Sequence, residues 1–395
     1  MIEAIVAVYG DWGIGADGTQ PVVVSADRKH FREVTDGSAV ICGRKTLEDF
    51  PGGRPLKNRV NIVLTRQALE IDGAVVVHSP EEALAEAAQY DRVFVIGGAS
   101  TYSELFPHID KIFVTKLDCV PHSDVFFPDL DESPDWEILE ESAAQTDENG
   151  VSYRFLTYGR RLSPELQDAL NWIRGTDPLT RMGAGTSILR RSAELHWLGE
   201  NGLLLSDSVS GIWYAYGEGA AHLPERDWSD VLFITDSAAA ADYLRENHGK
   251  SGSAEYYQVV YPFAAAPAAS RPARLRLCAP TDGEMVKIDA TYALADMEEL
   301  QHDRKRGNLF AAHDDSGSFV GYMGIHSDGS MGLLEVFPEY RRLGYAEELE
   351  CFMIRKVLSR GLIPYAQIAP DNAASMGLQQ KLGFLCAPAT VWYVW

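Results

Sequence analysis

Apolar residues in this chain gather in short runs, separated by stretches in which they recur every three or four positions. Strand-like runs lie at 2–9, 39–42, 60–64, 74–77, 93–96, 112–115, 136–139 and 153–158, with helical patterns at 26–34, 46–50, 80–89 and 101–106. Strands and helices alternating in this way predict an α/β domain with a mixed central sheet and flanking helices over residues 1–161. Ser163-Pro164 then opens a new helix that Gly175 closes, which places the boundary near Arg161. A second α/β block spans 162–262, with strands at 195–198, 203–205, 212–216 and 231–234 and a helix at 237–247. Its Trp197, Trp213, Tyr214 and Tyr216 alternate at strand spacing, which suits either a core or an acceptor site. An Ala/Pro-rich connector, 263–274, leads into a last unit, 275–395, with a buried strand at 333–337, a helix at 346–358 and another at 372–384 that stops at Gly383. No internal sequence repeat is visible.

Composition narrows the partners. The formal charge of -22 over 395 residues disfavours nucleic acid and anionic membranes, which require a concentrated basic surface, and leaves small molecules. Cys42, Cys119, Cys278, Cys351 and Cys386 are scattered without metal or disulfide spacing, so no metal site and buried, reduced thiols are expected. No leader-like or membrane-spanning run occurs, which predicts a soluble, cytoplasmic protein. Oligomeric state is not legible.

Three strand-to-helix turns can present backbone N–H groups to an anion: Val40 to Thr46, Val93 to Thr101, and Phe337 through Arg341, Arg342 and Gly344 to Ala346. Arg44, Lys45 and Arg66 would add positive charge near the first, although singly each reads as a solvated side chain. Gly13-Ile-Gly-Ala-Asp-Gly18 matches G-x-G-x-x-G, but β-branched residues follow it, so no helix opens there and a glycine loop is the better reading. Asp27 stands out among the acids. With Ser25 read as an N-cap it could serve the helix dipole alone, yet Asp27, Phe31 and Val34 fall on one apolar face, where a carboxylate could grip the amidine-like edge of a heterocycle.

The glycine loop, Pro21, Ala26-Asp27 with Phe31, Gly43-Arg44-Lys45-Thr46, Arg59 with Asn61 to Leu64, Ile96-Gly97-Gly98 with Tyr102, Thr115, and Asp124 with Phe127-Pro128 follow one another in the order of the dihydrofolate reductase family, which residues 1 to about 160 resemble throughout. The resemblance implies NADPH-dependent reduction of dihydrofolate. Asp27 would hold the pterin and support its protonation beside Thr115, while Ile5, Phe31, Ile96 and Tyr102 line the pocket and Arg59 grips the glutamyl carboxylate. Gly43, Arg44, Lys45, Thr46, Thr65, Arg66, Gly97, Gly98, Ser100 and Thr101 would bind NADPH, with the 15–21 segment, Gly15 and Gln20 included, closing over the nicotinamide. Two departures matter: Val22 stands where the family usually has Trp, and Arg28 replaces an apolar residue and could contact the folate tail. Both leave open a reductase retuned to a non-folate pterin or a pyrimidine.

The 333–384 segment resembles the GNAT acetyltransferase superfamily, nearest its glycine N-acyltransferase-like branch. That resemblance implies acetyl-CoA as cofactor and an unknown amine as acceptor. Val336 would pair with the pantetheine arm, Arg341, Arg342, Gly344, Tyr345 and Ala346 would hold the pyrophosphate, and Asn372 and Ser375 would approach from the other side. Glu335 is a candidate base, equally readable as a salt-bridged surface residue. Gln379 stands where many relatives carry a Tyr, so a module that binds acetyl-CoA without turnover stays open, as does a degenerate first copy of the fold in 162–262.

Overall fold

The computed structural model describes residues 2–267, 274–292 and 296–395; the centre of the expected connector lies outside them. The chain divides into two compact units, Met1–Arg161 and Leu162–Trp395.

In the first unit, Ile109–Leu117, Ile2–Val8, Val93–Gly97, Ala39–Gly43, Val60–Leu64 and Ala74–Val77 lie side by side in that order, each parallel to its neighbours. Ser152–Arg160 joins antiparallel beside Ile109–Leu117, and Trp136–Glu141 and Gln145–Thr146 pair with it in turn. The parallel strands read as continuous apolar runs because both sheet faces are covered. Ala4, Val6 and Val8 enter one core cluster while Ile5 enters the other, following the two-residue period of a strand. The glycine segment is a short strand, Gly13–Gly15, paired with Val125–Phe126, and no helix follows it. Ser25 is not a cap: the helix Ser25–Thr35 begins at it, with Val24 at the cap position and the Asp27 N–H donating to Val24 O at 3.1 Å. The helix Arg44–Glu48 starts two residues earlier than its apolar pattern suggested, because extended Gly43 turns the strand straight into it.

In the second unit the expected division into 162–262 and 275–395 gives way to a shared sheet. Its strands run Ala193–Gly199, Gly202–Asp207, Trp213–Gly217, Phe233–Thr235, Leu385–Val394, Ser253–Val260, Tyr365–Ile368, so the last strand of the chain lies between two strands from the first half. Hydrogen bonds along Leu385–Val394 therefore tie the two halves into one cooperative body. A separate sheet holds Arg276–Cys278, Leu309–His313, Phe319–Ile325 and Met331–Val336.

The two halves repeat one order of elements. Pro164–Thr176 and Met182–Leu189 precede a three-strand antiparallel meander, a strand (Phe233–Thr235), a helix (Ala238–Asn247) and a final strand. Asp282–Thr291 and Met297–Lys305 likewise precede a meander, the strand Tyr365–Ile368, the helix Ala373–Leu382 and a final strand. They differ in places: Arg276–Cys278 precedes the second pair of helices and has no counterpart ahead of Pro164–Thr176 within the unit, and two further differences follow. The first half pairs Trp213–Gly217 in parallel with Phe233–Thr235, whereas Met331–Val336 and Tyr365–Ile368 share no ladder among the described residues. Between those two unpaired strands the chain makes the helix Tyr345–Ser359, which has no counterpart in the first half.

Small adjustments have local causes. The helix Pro164–Thr176 carries the expected Ser163 cap, which accepts from Leu166 N–H, but continues through Gly175. Trp213, Tyr214 and Tyr216 are buried core residues, and Trp197 stacks on His222 with ring centroids 3.7 Å apart, so none of them forms an open acceptor site. Among the described residues no helix is long and apolar enough to cross a membrane.

Candidate active site

Helical spacing places Asp27 one turn before Phe31 and two before Val34, and both apolar side chains pack into the cluster that holds Ile5 and Ile96. Phe50 and Leu56 join the same cluster from the segment after Arg44–Glu48. Sequence reasoning passed over these two, since nothing in their local pattern sets them apart from ordinary core residues. Asp27 itself remains half-buried. Burial raises its pKa, while the Thr115 hydroxyl, His30 and Arg28 pull it back. Thr115 is buried and lies near enough to Asp27 to lower its pKa, yet among the described residues its Oγ1 completes no hydrogen bond. His30, one turn along the helix, lies against Phe155 with ring centroids 4.3 Å apart, and its own pKa is lowered by burial against the pull of Asp27 and Glu33. The Tyr102 hydroxyl donates to Ile5 O at 2.6 Å and is committed to the scaffold. At the other end of the helix, Arg59 donates to Thr35 Oγ1 at 2.9 Å, Lys57 O at 2.8 Å and Arg32 O at 3.0 Å, which fixes the guanidinium beside the Phe31 ring. An acid and a clamped cation thus bracket an apolar wall. Arg28 is exposed beside Asp27, and Val22 has its N–H and C=O both engaged by the Tyr9 hydroxyl, at 3.0 and 3.1 Å.

A second set of expected residues also comes together. Ala39–Gly43 and Val93–Gly97 are paired in parallel, Cys42 opposite Gly97, so the turns that follow them emerge at the same sheet edge. The Gly97–Gly98 peptide is cis. A Cβ on Gly43 would lie 3.0 Å from Thr101 Oγ1, and one on Gly98 would lie 3.1 Å from Thr46 Oγ1. The glycines therefore let two hydroxyls and two helix starts come close to one another. Arg44 is half-buried and paired with Glu48, Lys45, Arg66 and Ser100 are exposed, and Thr65 is buried with its Oγ1 accepting from Gln67 N–H at 3.3 Å. Gly15 is packed in the short strand, where a Cβ would meet Thr19 O at 2.8 Å, and Gln20 is exposed in the segment that follows.

In the second unit, Arg342 and Gly344 both take positive φ, 62° and 94°, ahead of the helix Tyr345–Ser359. That helix carries Glu347 and Glu348 in its first turn, an arrangement that would repel an anion if the charges were free. They are not. Glu347 pairs with Lys381 at 2.5 Å, and Glu348 Oε1 accepts from the Arg274 and Leu275 N–H groups at 2.6 Å each. Both carboxylates are thus turned to partners within the unit. Tyr345 is buried under the Arg274 guanidinium, 4.8 Å from the ring centroid, and Ala346 is half-buried. Arg341 faces the strand: its Nη2 lies 2.8 Å from Glu335 and its Nε donates to Val336 O at 2.9 Å. Glu335 is thus salt-bridged, and the Val336 carbonyl is already engaged. Asn372 spends its side chain on the Ser375 N–H as a helix cap at 3.1 Å, and both remain at least partly open. Sequence reasoning missed Glu350. It is 2% exposed, accepts from Gln379 Nε2 at 2.6 Å, and burial pushes its pKa up to about 8. Glu350 Oε2 and Gln379 Oε1 are buried without partners.

Two stretches of the chain resemble known protein families. The dihydrofolate reductase family profile matches residues 1–160, and the FR47-like protein profile matches residues 309–393. The dihydrofolate reductase of Bacillus subtilis strain 168 is 38% identical over 165 residues, covering 41% of this chain and 96% of that protein. The Haemophilus influenzae enzyme is 38% identical over 149 residues, 91% of its length. Among solved structures, the dihydrofolate reductase from Enterococcus faecalis complexed with NADP(H) and RAB-propyl is 36% identical, covers 41% of this chain and 96% of that one, and has a TM-score of 0.38. Through its first 160 residues the chain belongs to the dihydrofolate reductase family.

Proposed function

We propose that the chain joins an NADPH-dependent dihydrofolate reductase to an acetyl-CoA-dependent N-acetyltransferase. The observation that carries the reductase is Asp27: a half-buried carboxyl with a raised pKa, set on an apolar wall beside an unpartnered Thr115 hydroxyl, with clamped Arg59 one helix length away. Asp27 and Thr115 would hold the amidine edge of the pterin, and Asp27 would supply the field that favours a proton on the ring nitrogen. Arg59 would fix the glutamyl carboxylate and so set the depth of the ring. Gly43, Thr46, Gly97, Gly98 and Thr101 would seat the cofactor phosphates. NADPH, when bound, supplies the hydride. Following NADPH oxidation with dihydrofolate in the native chain and in Asp27→Asn tests the reading. Turnover that collapses in the variant supports it, and a native chain that binds NADPH but leaves dihydrofolate untouched refutes it.

For the C-terminal unit the diphosphate-fitting turn at 341–346 supports acetyl-CoA binding, and the absence of a ladder between Met331–Val336 and Tyr365–Ile368 leaves a gap for the pantetheine arm. The acceptor would be an amine. A second reading, in which the unit binds acetyl-CoA without turnover, draws support from Glu335 being held by Arg341 and from Gln379 being turned inward onto Glu350. Calorimetry with acetyl-CoA beside a thiol-release assay over a panel of amines separates the two.

A further inference from the structure

The cysteines were expected to be buried, reduced thiols; Cys278 is free but not buried. It is partly exposed on Arg276–Cys278, the edge strand of the smaller sheet of the second unit. Its Sγ lies 3.7 Å from His313 Nδ1 on the adjacent strand, a diagonal cross-strand pair set by the register Cys278 opposite Ala311 and Arg276 opposite His313. His313 Nε2 in turn lies 2.5 Å from Glu284 Oε1. The other oxygen of Glu284 accepts from Thr281 N–H at 2.7 Å and Thr281 Oγ1 at 2.9 Å, so the carboxylate is oriented by a helix cap. Burial works against its charge, and the Thr281 N–H and His313 overcome that, holding its pKa below the usual carboxylate range.

These three side chains have the roles of a nucleophile, a base and a group that orients the base. With Nε2–H donated to Glu284, the tautomer is fixed and Nδ1 is left as the acceptor for the thiol proton. We propose that Cys278 is a nucleophilic thiol, activated by His313 and Glu284, that takes small disulfides and is modified to a mixed disulfide. In the step, the Sγ proton passes to His313 Nδ1, the thiolate attacks one sulfur of R–S–S–R, the Cys278–S bond to that sulfur forms, and the other half leaves as RS⁻ and takes up a proton. Cys278 is oxidised and the departing thiol is reduced, with no further oxidant required. All five cysteines are free, so the thiol of Cys278 is available for the step. The charged groups around the imidazole are Glu284 and Lys287 from the helix Asp282–Thr291, Arg276 from the strand opposite, and Asp314 next along the chain.

The test is mass-spectrometric. The full chain is treated with hydroxyethyl disulfide across a range of pH, and the rate of mixed-disulfide formation is read at Cys278, at exposed Cys386 and with free N-acetylcysteine. Cys278 is expected to react at about pH 6 with a rate at least about tenfold above either reference. His313→Gln is expected to remove that advantage, Glu284→Gln to reduce it, and Cys278→Ser to abolish the mass shift at this site. A native Cys278 whose rate rises with pH as steeply as that of N-acetylcysteine overturns the proposal, whether or not the His313 variant folds. An unchanged rate in a folded His313→Gln chain overturns it as well.

Discussion

Asp27 and Glu350 are acids on helices, one in each unit, and burial raises the pKa of both. What else reaches them differs. Asp27 stays half-open, with the Thr115 hydroxyl, His30 and Arg28 opposing the rise, whereas Glu350 is sealed and has Gln379 as its one hydrogen-bond partner. A shift produced by burial against opposing polar groups in an open wall marks a carboxyl that can exchange protons with a ligand. A shift from burial opposed by a single neutral amide, Gln379, marks a carboxyl held neutral inside packing. The magnitude of the shift is thus a poorer guide to chemistry than the identity of the groups that resist it.

The largest expected effect lies on the reductase side. Asp27→Asn keeps the shape and loses the charge, and turnover near neutral pH should fall by about a hundredfold or more, the usual scale of a lost proton-handling group. The residual rate should climb as pH drops, because protonation of the ring then comes from solvent. A variant that stays within a few-fold of native would move Asp27 into the same class as Glu350.

Glu350 should register in stability and leave reductase turnover alone. Folded, it keeps its proton up to about pH 8; unfolded, it would lose it near about 4.3. The folded state therefore binds more protons in between, so stability is full below the lower value and declines as pH rises toward the upper one. Glu350→Gln removes that slope, so the variant should be the more stable of the two chains at the alkaline end. Hydrogen exchange at the Tyr345–Ser359 amides reads this unit directly; equal pH slopes in native and variant chains would show that Glu350 ionises freely.

The same contrast explains what the sequence made legible. Asp27 was readable because its signals are local: a carboxylate on an apolar helical face, glycines between strand and helix, and an ordered series of motifs over 160 residues. Glu350 and the Cys278–His313–Glu284 cluster are not local. Gln379 lies 29 positions from Glu350, and His313 lies 35 from Cys278 and 29 from Glu284, so only the fold brings them together. The shared sheet of the second unit was hidden for a related reason. A strand shows its apolar period in sequence but not its partner, and Leu385–Val394 pairs with strands more than a hundred residues away. The repeated order of elements was legible only through the resemblance, as a degenerate first copy in 162–262, and not as a repeat of residues, because two meanders can agree in burial period while agreeing in few identities.

Arg59 sharpens the comparison from the substrate side. Its three hydrogen bonds to Thr35 Oγ1, Lys57 O and Arg32 O fix the fork before any ligand arrives. Arg59→Ala should raise KM for dihydrofolate by about tenfold with a smaller change in kcat, since a contact to the tail is made equally in ground and transition states. Arg59→Lys should recover little of this, because an ammonium cannot reproduce the planar fork. Equal losses in kcat and KM would instead assign Arg59 to positioning the helix.

The smallest effect is expected at Arg28, and it bears most directly on why Asp27 is not another Glu350. Arg28 is exposed, so its interaction with Asp27 is screened, yet it acts with Thr115 and His30 to oppose burial at the carboxyl. Removing it in Arg28→Leu should let the Asp27 pKa rise further. The carboxyl would then keep its proton to higher pH, and the alkaline limb of the kcat/KM profile for dihydrofolate should move upward, with the plateau at lower pH little changed. Added salt should shift the native profile in the same direction and leave the variant unmoved. A limb that moves downward, or a plateau that drops along with it, would mean that Arg28 holds the substrate and that its charge beside Asp27 is incidental.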